Sequence, residues 1–404
     1  MARWLAAMLL LVLPAACALT RVPAPPGPDT EAIAVLGLPN ARFWVDRSPE
    51  GLLQEVIRLS EREAATTPPG PDGRRPTTSF LAISGGGDDG AFGAGLLVGW
   101  SAAGTRPQFQ VVTGISTGAL TAPFAFLGPD YDTQLREVYT GSARRDIVLL
   151  RWLGSALLFG EALADTAPLY RLISRYTNED MLAAIAREYA KGRLLLIGTT
   201  NLDLQRPVLW NIGAIAASGH PEALALFRSI LLASASIPGA FPPVMIDVES
   251  SGRQYQEMHV DGGATAQVFL YPPSLQLGRR LRDRGIQRER IAYVIRNARM
   301  DPEWASTERR LMRIAARSIS TMIHFSGLND VVRIYQTTRR DHIGFRLAYI
   351  DADFQMEHRQ SFEPAYMRAL FEYGYEKARN GYPWRLRPPG FAQEGQASRP
   401  DPVR

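Results

Sequence analysis

Short apolar runs alternate along this chain with longer stretches in which apolar residues recur at helical spacing. Apolar runs that end at glycines or polar residues are typical of buried parallel strands. They predict strands at residues 80–84, 110–113, 194–199, 255–260, 291–295 and 345–350. Helical spacing predicts helices at residues 50–62, 91–103, 117–127, 178–189, 221–235 and 363–379. Because helices follow strands in turn, the pattern predicts an α/β fold with a mostly parallel sheet flanked by helices.

The first residues have the pattern of an export signal. A positively charged start precedes an apolar run over residues 5–13, too short to span a bilayer, and Pro14-Ala15-Ala16-Cys17 follows. This predicts a signal peptide over residues 1–16. Cys17 after two alanines resembles the lipobox of bacterial lipoproteins, which implies acylation of Cys17 and a membrane-surface partner through that anchor. We therefore expect an exported lipoprotein of the bacterial envelope, outer-membrane or periplasmic. Pro14 stands where the lipobox prefers leucine, so ordinary cleavage beside Cys17 stays open.

Changes in composition divide the rest of the chain. The predicted segments are a proline-rich tether at 17–39, a helical lead-in at 40–77, a core at 78–273, a C-terminal α/β extension packing on the core at 274–387, and a disordered tail at 388–404. Within the core, an apolar stretch at 147–159 predicts either a lid or acyl channel or a plain core helix.

Charge and cysteine content exclude several classes of function. Lys and Arg together number 45 against 40 for Asp and Glu, and no basic run is interleaved with aromatics, so nucleic-acid binding has no support. Cys17 is the only cysteine, which excludes an internal disulfide. The five histidines are not paired at helical spacing, so we expect no metal site, and nothing in the sequence points to a cofactor. The oligomeric state is not indicated.

The strongest candidate for chemistry is Gly114-Ile115-Ser116-Thr117-Gly118, between a predicted strand and a predicted helix. A nucleophile on such a tight turn needs unusual backbone angles and small neighbours, which Gly114 and Gly118 provide. The helix that follows favours negative charge near Ser116. The pentapeptide alone is a weak motif, and its position between strand and helix strengthens it.

A second strand-to-helix junction carries Ser84-Gly85-Gly86-Gly87-Asp88-Asp89-Gly90. Glycines leave backbone N–H groups unshielded, so Gly85, Gly86 and Gly87 are candidates for an oxyanion hole. A phosphate-binding loop is disfavoured, because the lysine of a Walker A motif is absent and the neighbouring acids would repel phosphate. A turn required only for close packing is the remaining alternative.

The third candidate is Asp261-Gly262-Gly263, directly after a predicted strand. An aspartate at the end of a buried strand lies at the carboxyl edge of the sheet, where the active sites of α/β proteins gather. An Asp-Gly pair is also a common turn, so this motif is not specific by itself.

The three motifs, in this order, resemble those of the patatin-like phospholipases over roughly residues 78–273, and residues 233–243 resemble the Ala-Ser-Pro-Phe block that precedes the base in that family. The resemblance implies a three-layer sandwich with the serine on a nucleophile elbow. It also implies a serine acyl-ester hydrolase of the phospholipase A or lysophospholipase type, with a lipid or other acyl ester as substrate. Ser116 would be the nucleophile, Asp261 the general base, and the glycine loop the oxyanion hole.

One position departs from the family, since Asp89 stands where its glycine loop has an arginine. We interpret Asp89 as a cap for the helix that follows, because acids in a first turn suit the helix dipole. Two alternatives stay open, the first of them because the arginine is lost. One is a weakly active or inactive envelope lipoprotein that binds acyl chains, and the other is an acyltransferase that uses the same Ser–Asp pair.

A Ser–Asp dyad needs no histidine, whereas a catalytic triad would require one of the histidines near Ser116 and Asp261. His259 shares a strand face with Asp261, and His324, His342 and His358 follow it in the chain order of α/β-hydrolase triads. For each we favour the alternative, a surface or packing histidine.

Overall fold

The computed structural model describes residues 21–70, 75–141, 149–150 and 164–391, and nine of their strands form one sheet. These strands are β1 Arg42–Trp44, β2 Thr78–Ile83, β3 Phe109–Ile115, β6 Leu194–Asn201, β7 Arg206–Asn211, β8 Val244–Ser250, β9 Arg253–Asp261, β10 Arg290–Arg299 and β11 Gly344–Ile350. A separate ribbon consists of β4 Leu149–Leu150 and β5 Ala164–Asp165.

Helices connect the strands and cover the sheet. They are α1 Gly27–Thr30, α2 Glu50–Thr66, α3 Gly90–Ala102, α4 Thr117–Leu127, α5 Asp132–Thr140, α6 Ala167–Tyr176, α7 Glu179–Ala190, α8 Ile212–Ala216, α9 Ala223–Ser234, α10 Leu277–Arg282, α11 Leu311–Arg340 and α12 Pro364–Arg379. Small residues let two of them pack closely, since a Cβ at Gly95 or Gly99 of α3 would overlap backbone carbonyls of α12.

The order of strands across the sheet is β1-β7-β6-β3-β2-β10-β11. The five strands from β6 to β11 are parallel, and β7, β1, β9 and β8 add to the β6 side as antiparallel strands. The predicted α/β fold with a mostly parallel sheet flanked by helices is confirmed. The carboxyl ends of β2, β3 and β10 lie side by side at one edge, where Ile83 pairs with Gly114 and with Ile295.

Side chains alternate between the two faces of the sheet. Leu81 and Ile83 of β2 lie in one apolar cluster with α3, α4 and α12, whereas Phe80 and Ala82 lie in a second cluster with α10 and the C-terminal half of α11. Apolar side chains on both faces of the same strand require helices on both sides, which gives three layers.

Two segments are more closely joined to the fold than their composition suggests. Residues 274–387 supply β10 and β11, so this segment forms part of the sheet rather than a layer packed on it. The proline-rich segment packs on the fold from Arg21 onward: Arg21 pairs with Asp203 at 2.8 Å, and Ile33 and Val35 are buried. Burial of these two apolar side chains fixes a segment whose prolines alone favour an extended chain.

Several predictions fall outside the described residues. They are the signal peptide with Cys17, most of the C-terminal tail, and most of the apolar stretch 147–159. Within the described ranges, no helix has the length and apolar character needed to cross a bilayer. The same ranges contain no cluster of three or more His, Cys, Asp or Glu side chains that could hold a metal ion.

Candidate active site

Ser116 occupies a strained turn between β3 and α4. Its backbone angles, φ 56° and ψ −125°, are unusual for a residue with a side chain, and they hold it at the start of α4. The turn needs small neighbours, since a Cβ at Gly118 would overlap the Ile83 carbonyl and one at Gly114 would overlap the Gly118 carbonyl. The sequence therefore builds the nucleophile elbow that the motif predicts.

A second serine fixes this turn from the neighbouring helix. The Ser116 N–H donates to Ser234 Oγ at 3.0 Å, and the Ser234 hydroxyl donates to the Gly198 carbonyl of β6 at 2.7 Å. Two residues later, the Ser236 carbonyl accepts the N–H of Asp261 at 2.9 Å. The block at 233–243 thus ties the nucleophile and the aspartate to one another through its backbone and hydroxyls.

Asp261 is the last residue of β9, and only 4% of it is exposed. Its Oδ1 accepts the Gly263 N–H at 2.6 Å. Its Oδ2 is buried without a hydrogen-bond partner of good geometry among the described groups. The Ser116 hydroxyl and the Gly263 N–H both stabilise the charged carboxylate and so lower its pKa. Burial has the larger, opposite effect and raises the pKa of Asp261 to about 7.

The glycine loop lies beside the elbow. A Cβ at Gly85 would stand 3.1 Å from Ser116 Cβ. The Gly85 N–H, however, already donates to the Gln267 carbonyl at 2.9 Å. Gly85 was predicted to be an oxyanion donor, but its N–H is therefore not free for that role. The N–H groups of Gly86 and Gly87 have no acceptor among the described residues. The loop turns at Gly87, whose φ of 59° suits glycine, and it is open to solvent at Gly86.

The remaining motif glycines allow close contacts around the turn. A Cβ at Gly90 would overlap Thr117, one at Gly262 would crowd the Gly198 carbonyl, and one at Gly263 would crowd Asp261 Oδ1. The structure thus brings all three motifs to the carboxyl edge of the sheet.

Asp89 does not cap the helix that follows it, so that prediction is wrong. Its carboxylate makes no capping hydrogen bond and accepts the Tyr366 hydroxyl of α12 at 2.7 Å. Burial raises the pKa of Asp89 to about 7, and the nearby charge of Asp88 adds to that rise. Packing of α12 against α3 supplies the partner, which the local sequence does not reveal.

Arg296 is a feature of this edge that the sequence did not single out. It lies on β10, is 2% exposed, and its Nε has no hydrogen-bond partner among the described groups. Burial lowers its pKa to about 10, against the opposing charges of Asp330 and Asp89. The available signal was its position directly after the predicted strand 291–295, at the carboxyl edge.

Within the described residues, no histidine hydrogen bonds to Ser116 or Asp261. His259 is buried between Thr199 and Glu257, and His358 pairs with Asp88 at 2.8 Å. His342 is exposed in a turn, and burial lowers the pKa of the half-buried His324.

Comparison with curated proteins gives no match. Among solved structures, VipD from Legionella pneumophila aligns over 78% of this chain and 70% of its own, with 10% identity and a TM-score of 0.32. The family model described as patatin-like phospholipase matches residues 81–272. That range contains the elbow, the glycine loop and Asp261, and this part of the chain is a patatin-like phospholipase domain.

Proposed function

We propose that the protein is a serine lipid acyl hydrolase with Ser116 as nucleophile and Asp261 as general base. One observation carries this proposal: a serine on a strained elbow stands beside a buried carboxyl whose Oδ2 has no other partner among the described groups. A base must be able to accept a proton near neutral pH, and a pKa of about 7 for Asp261 suits that task.

In the first half-reaction, Ser116 Oγ bonds to the ester carbonyl carbon while its proton passes to Asp261. The carbonyl oxygen becomes an oxyanion, which the N–H groups of Gly86 and Gly87 are free to bind. As the tetrahedral intermediate collapses, the carbon–oxygen bond to the alcohol breaks and Asp261 returns the proton to that alcohol. The product is an acyl ester of Ser116.

In the second half-reaction, water attacks the acyl-enzyme. Asp261 takes a proton from the water as its oxygen bonds to the acyl carbon, and the same N–H groups bind the second oxyanion. Collapse releases the fatty acid, and the proton returns to Ser116 Oγ. No step needs a histidine or a metal ion, because one carboxylate serves each proton transfer in turn.

The charges around the glycine loop support this chemistry despite the missing arginine. A pKa of about 7 leaves Asp89 partly protonated at neutral pH, which weakens its repulsion of an oxyanion. Arg296, a buried cation within electrostatic reach of Asp89, adds positive potential at the same edge. These two features favour an active enzyme over an inactive acyl-binding protein.

Labelling with a fluorophosphonate probe tests the proposal, since such probes react with activated serines. Wild type is expected to label and to release fatty acid from phospholipid, and Ser116→Ala is expected to do neither. Ser218→Ala, at a half-buried serine outside the site, is the matched control and is expected to behave as wild type. Absence of Ser116-dependent labelling in folded protein would favour a binding protein instead.

A histidine scan separates the dyad from a triad. Alanine at His324 or His358 is expected to leave labelling of Ser116 in place, because neither side chain hydrogen bonds to the dyad. If one such substitution abolished labelling as fully as Ser116→Ala, the dyad mechanism would be wrong.

We also propose that the protein is exported and acylated at Cys17, on the sequence pattern described above. Phase partition into detergent tests this, with Cys17→Ser as the comparison. Wild type is expected in the detergent phase, and equal partition of the two proteins would exclude the acyl anchor.

A further inference from the structure

The N-terminal half of α11 exposes large apolar side chains. Leu311 is 81% exposed and Met322 63%, whereas Val331 and Ile334 in the second half of the same helix are buried. We call residues 311–325 the apolar tip. Its exposed large apolar side chains are Leu311, Met312, Ile314, Ile319, Met322, Ile323 and Phe325. Contiguous apolar surface of this kind marks an interaction site.

The strongest apolar stripe of the tip faces away from the protein. Leu311, Ile314, Met322 and Phe325 lie within about 80° of one another around the helix axis, at about 100° per residue, so they share one face. Val331 and Ile334, which pack on the sheet, lie about 200° and about 140° around the helix axis from Leu311, at about 100° per residue. The stripe is therefore opposite the face that holds α11 to the fold.

The charges along this part of α11 indicate which kind of surface the stripe would bind. Arg309, Arg310, Arg313 and Arg317 cluster at the start of the tip, and no acidic residue occurs from residue 309 to 329. The Arg310 side chain pairs with Glu308 at 3.4 Å, and Arg317 donates to the neutral carbonyl of Glu303, which leaves its charge uncompensated. Arg313 and Arg317 lie about 200° and about 240° around the helix axis from Leu311, so they are on the face away from the stripe. A helix with an apolar stripe on one face and arginines on another matches an anionic lipid surface.

The same helix is attached to the candidate active site. Gly327 lies directly against the Arg296 guanidinium, and a Cβ there would overlap it. One turn later, Asp330 Oδ2 accepts the N–H of Gln267 at 2.6 Å, and the Gln267 carbonyl accepts that of Gly85. The helix that carries the apolar tip is therefore joined to the glycine loop by direct packing and hydrogen bonds.

We propose that the apolar tip docks the protein on an anionic phospholipid surface, with its outward stripe in the interface and its arginines among the head groups. This inference rests on the proposed lipid acyl hydrolase function, since it supplies the surface from which the glycine loop takes its substrate. It is independent of the predicted anchor at Cys17.

Vesicle co-sedimentation tests the proposal, in full-length protein carrying Cys17→Ser so that acylation contributes nothing. The tip variant combines Leu311→Ser, Met322→Ser and Phe325→Ser. The control is Ser320→Ala, an exposed position about 180° around the helix axis from Leu311 and so away from the stripe. On phosphatidylcholine vesicles containing phosphatidylglycerol, binding by the tip variant is expected to fall at least about tenfold while the control binds as wild type.

A charge variant separates the anionic surface from an apolar surface of any kind. Arg313→Gln with Arg317→Gln is expected to weaken binding to phosphatidylglycerol vesicles by about thirtyfold, since each arginine near an anionic surface contributes about fivefold. On phosphatidylcholine alone, binding is expected to be weak for both proteins. Equal binding by wild type and tip variant would overturn the proposal.

Two further measurements keep the result interpretable. All proteins are measured in a Ser116→Ala background as well, so binding is scored even if the proposed hydrolase function fails, and Ser116 labelling of the tip variant reports that the fold and site remain intact. Light scattering gives the mass in solution. A wild type that is dimeric and a tip variant that is monomeric would assign the stripe to a second copy of this chain and overturn the proposal.

Discussion

Replacing Asp261 by asparagine should abolish hydrolysis and at the same time stabilise the fold at alkaline pH. The asparagine has the same shape, and its amide oxygen can still accept the Gly263 N–H that Asp261 Oδ1 accepts at 2.6 Å. What it removes is the charge of a buried carboxylate whose Oδ2 has no hydrogen-bond partner among the described groups. Activity and stability therefore move in opposite directions for one physical reason.

The size of the effect follows from the pKa. A carboxyl whose pKa rises from 3.8 to about 7 on folding is destabilised in its charged form by roughly 4 kcal/mol, since each tenfold change in proton affinity is about 1.4 kcal/mol. Between these two pKa values the folded chain holds a proton that the unfolded chain has released. The stability of wild type relative to Asp261→Asn therefore falls as the pH rises through this window and levels off above it.

Urea denaturation at a series of pH values from about 4 to about 8 measures this difference, because the window lies between the two pKa values. Ser116→Ala is the matched control, as it removes activity but keeps the titrating carboxyl. We expect the gain of Asp261→Asn over wild type to be near zero at the acidic end and largest at the alkaline end. A stability gain that does not change with pH would refute the view that Asp261 is desolvated. It would also remove the reason to expect a raised pKa for Asp261 as the general base.

Three further outcomes follow from other contacts. Gly86→Ala should lower hydrolysis by about 10²–10³ in assays on a short-chain ester, because its Cβ would overlap the Asn297 carbonyl and displace an oxyanion donor. Arg296→Met should retain or raise the melting temperature, since it removes a buried cation whose Nε lacks a hydrogen-bond partner among the described groups. It should lower kcat about tenfold, because the positive potential that Arg296 adds at the glycine loop is lost. Glu257→Gln should lower the free energy of unfolding by about 3–5 kcal/mol, because it breaks the buried bidentate pair with Arg42.

The sequence predicts the parallel centre of the fold well because that signal is local. Apolar runs at 291–295 and 345–350 correspond to β10 and β11, and the helix predicted at 117–127 is α4. The order of strands is not local. Nothing in the runs themselves says that β10, far along the chain, lies between β2 and β11. Sheet order depends on which long-range pairings bury the most apolar surface, and a single sequence does not display these pairings.

Prediction failed where partners come from distant segments. Gly85 was expected to donate to an oxyanion, but its N–H is taken by Gln267, more than 180 residues away. Asp89 was expected to cap a helix, but its carboxylate instead accepts a hydrogen bond from the Tyr366 hydroxyl. The helix α11 escaped prediction for a different reason. The amphipathic pattern assumes that apolar residues are buried, and the first half of this helix exposes them.

The polar groups left without partners at the carboxyl edge have a common physical meaning. Asp261 Oδ2 and Arg296 Nε are buried without hydrogen bonds among the described groups, the N–H groups of Gly86 and Gly87 are free, and Ser116 holds strained backbone angles. The two buried unpaired groups and the strained backbone angles each cost stability in the unliganded protein. In the transition state, the developing oxyanion of the ester binds the free donors, and the Ser116 proton passes to the carboxylate. These costs are therefore offset only when the reaction is under way, and interactions of that kind lower the barrier rather than merely bind substrate.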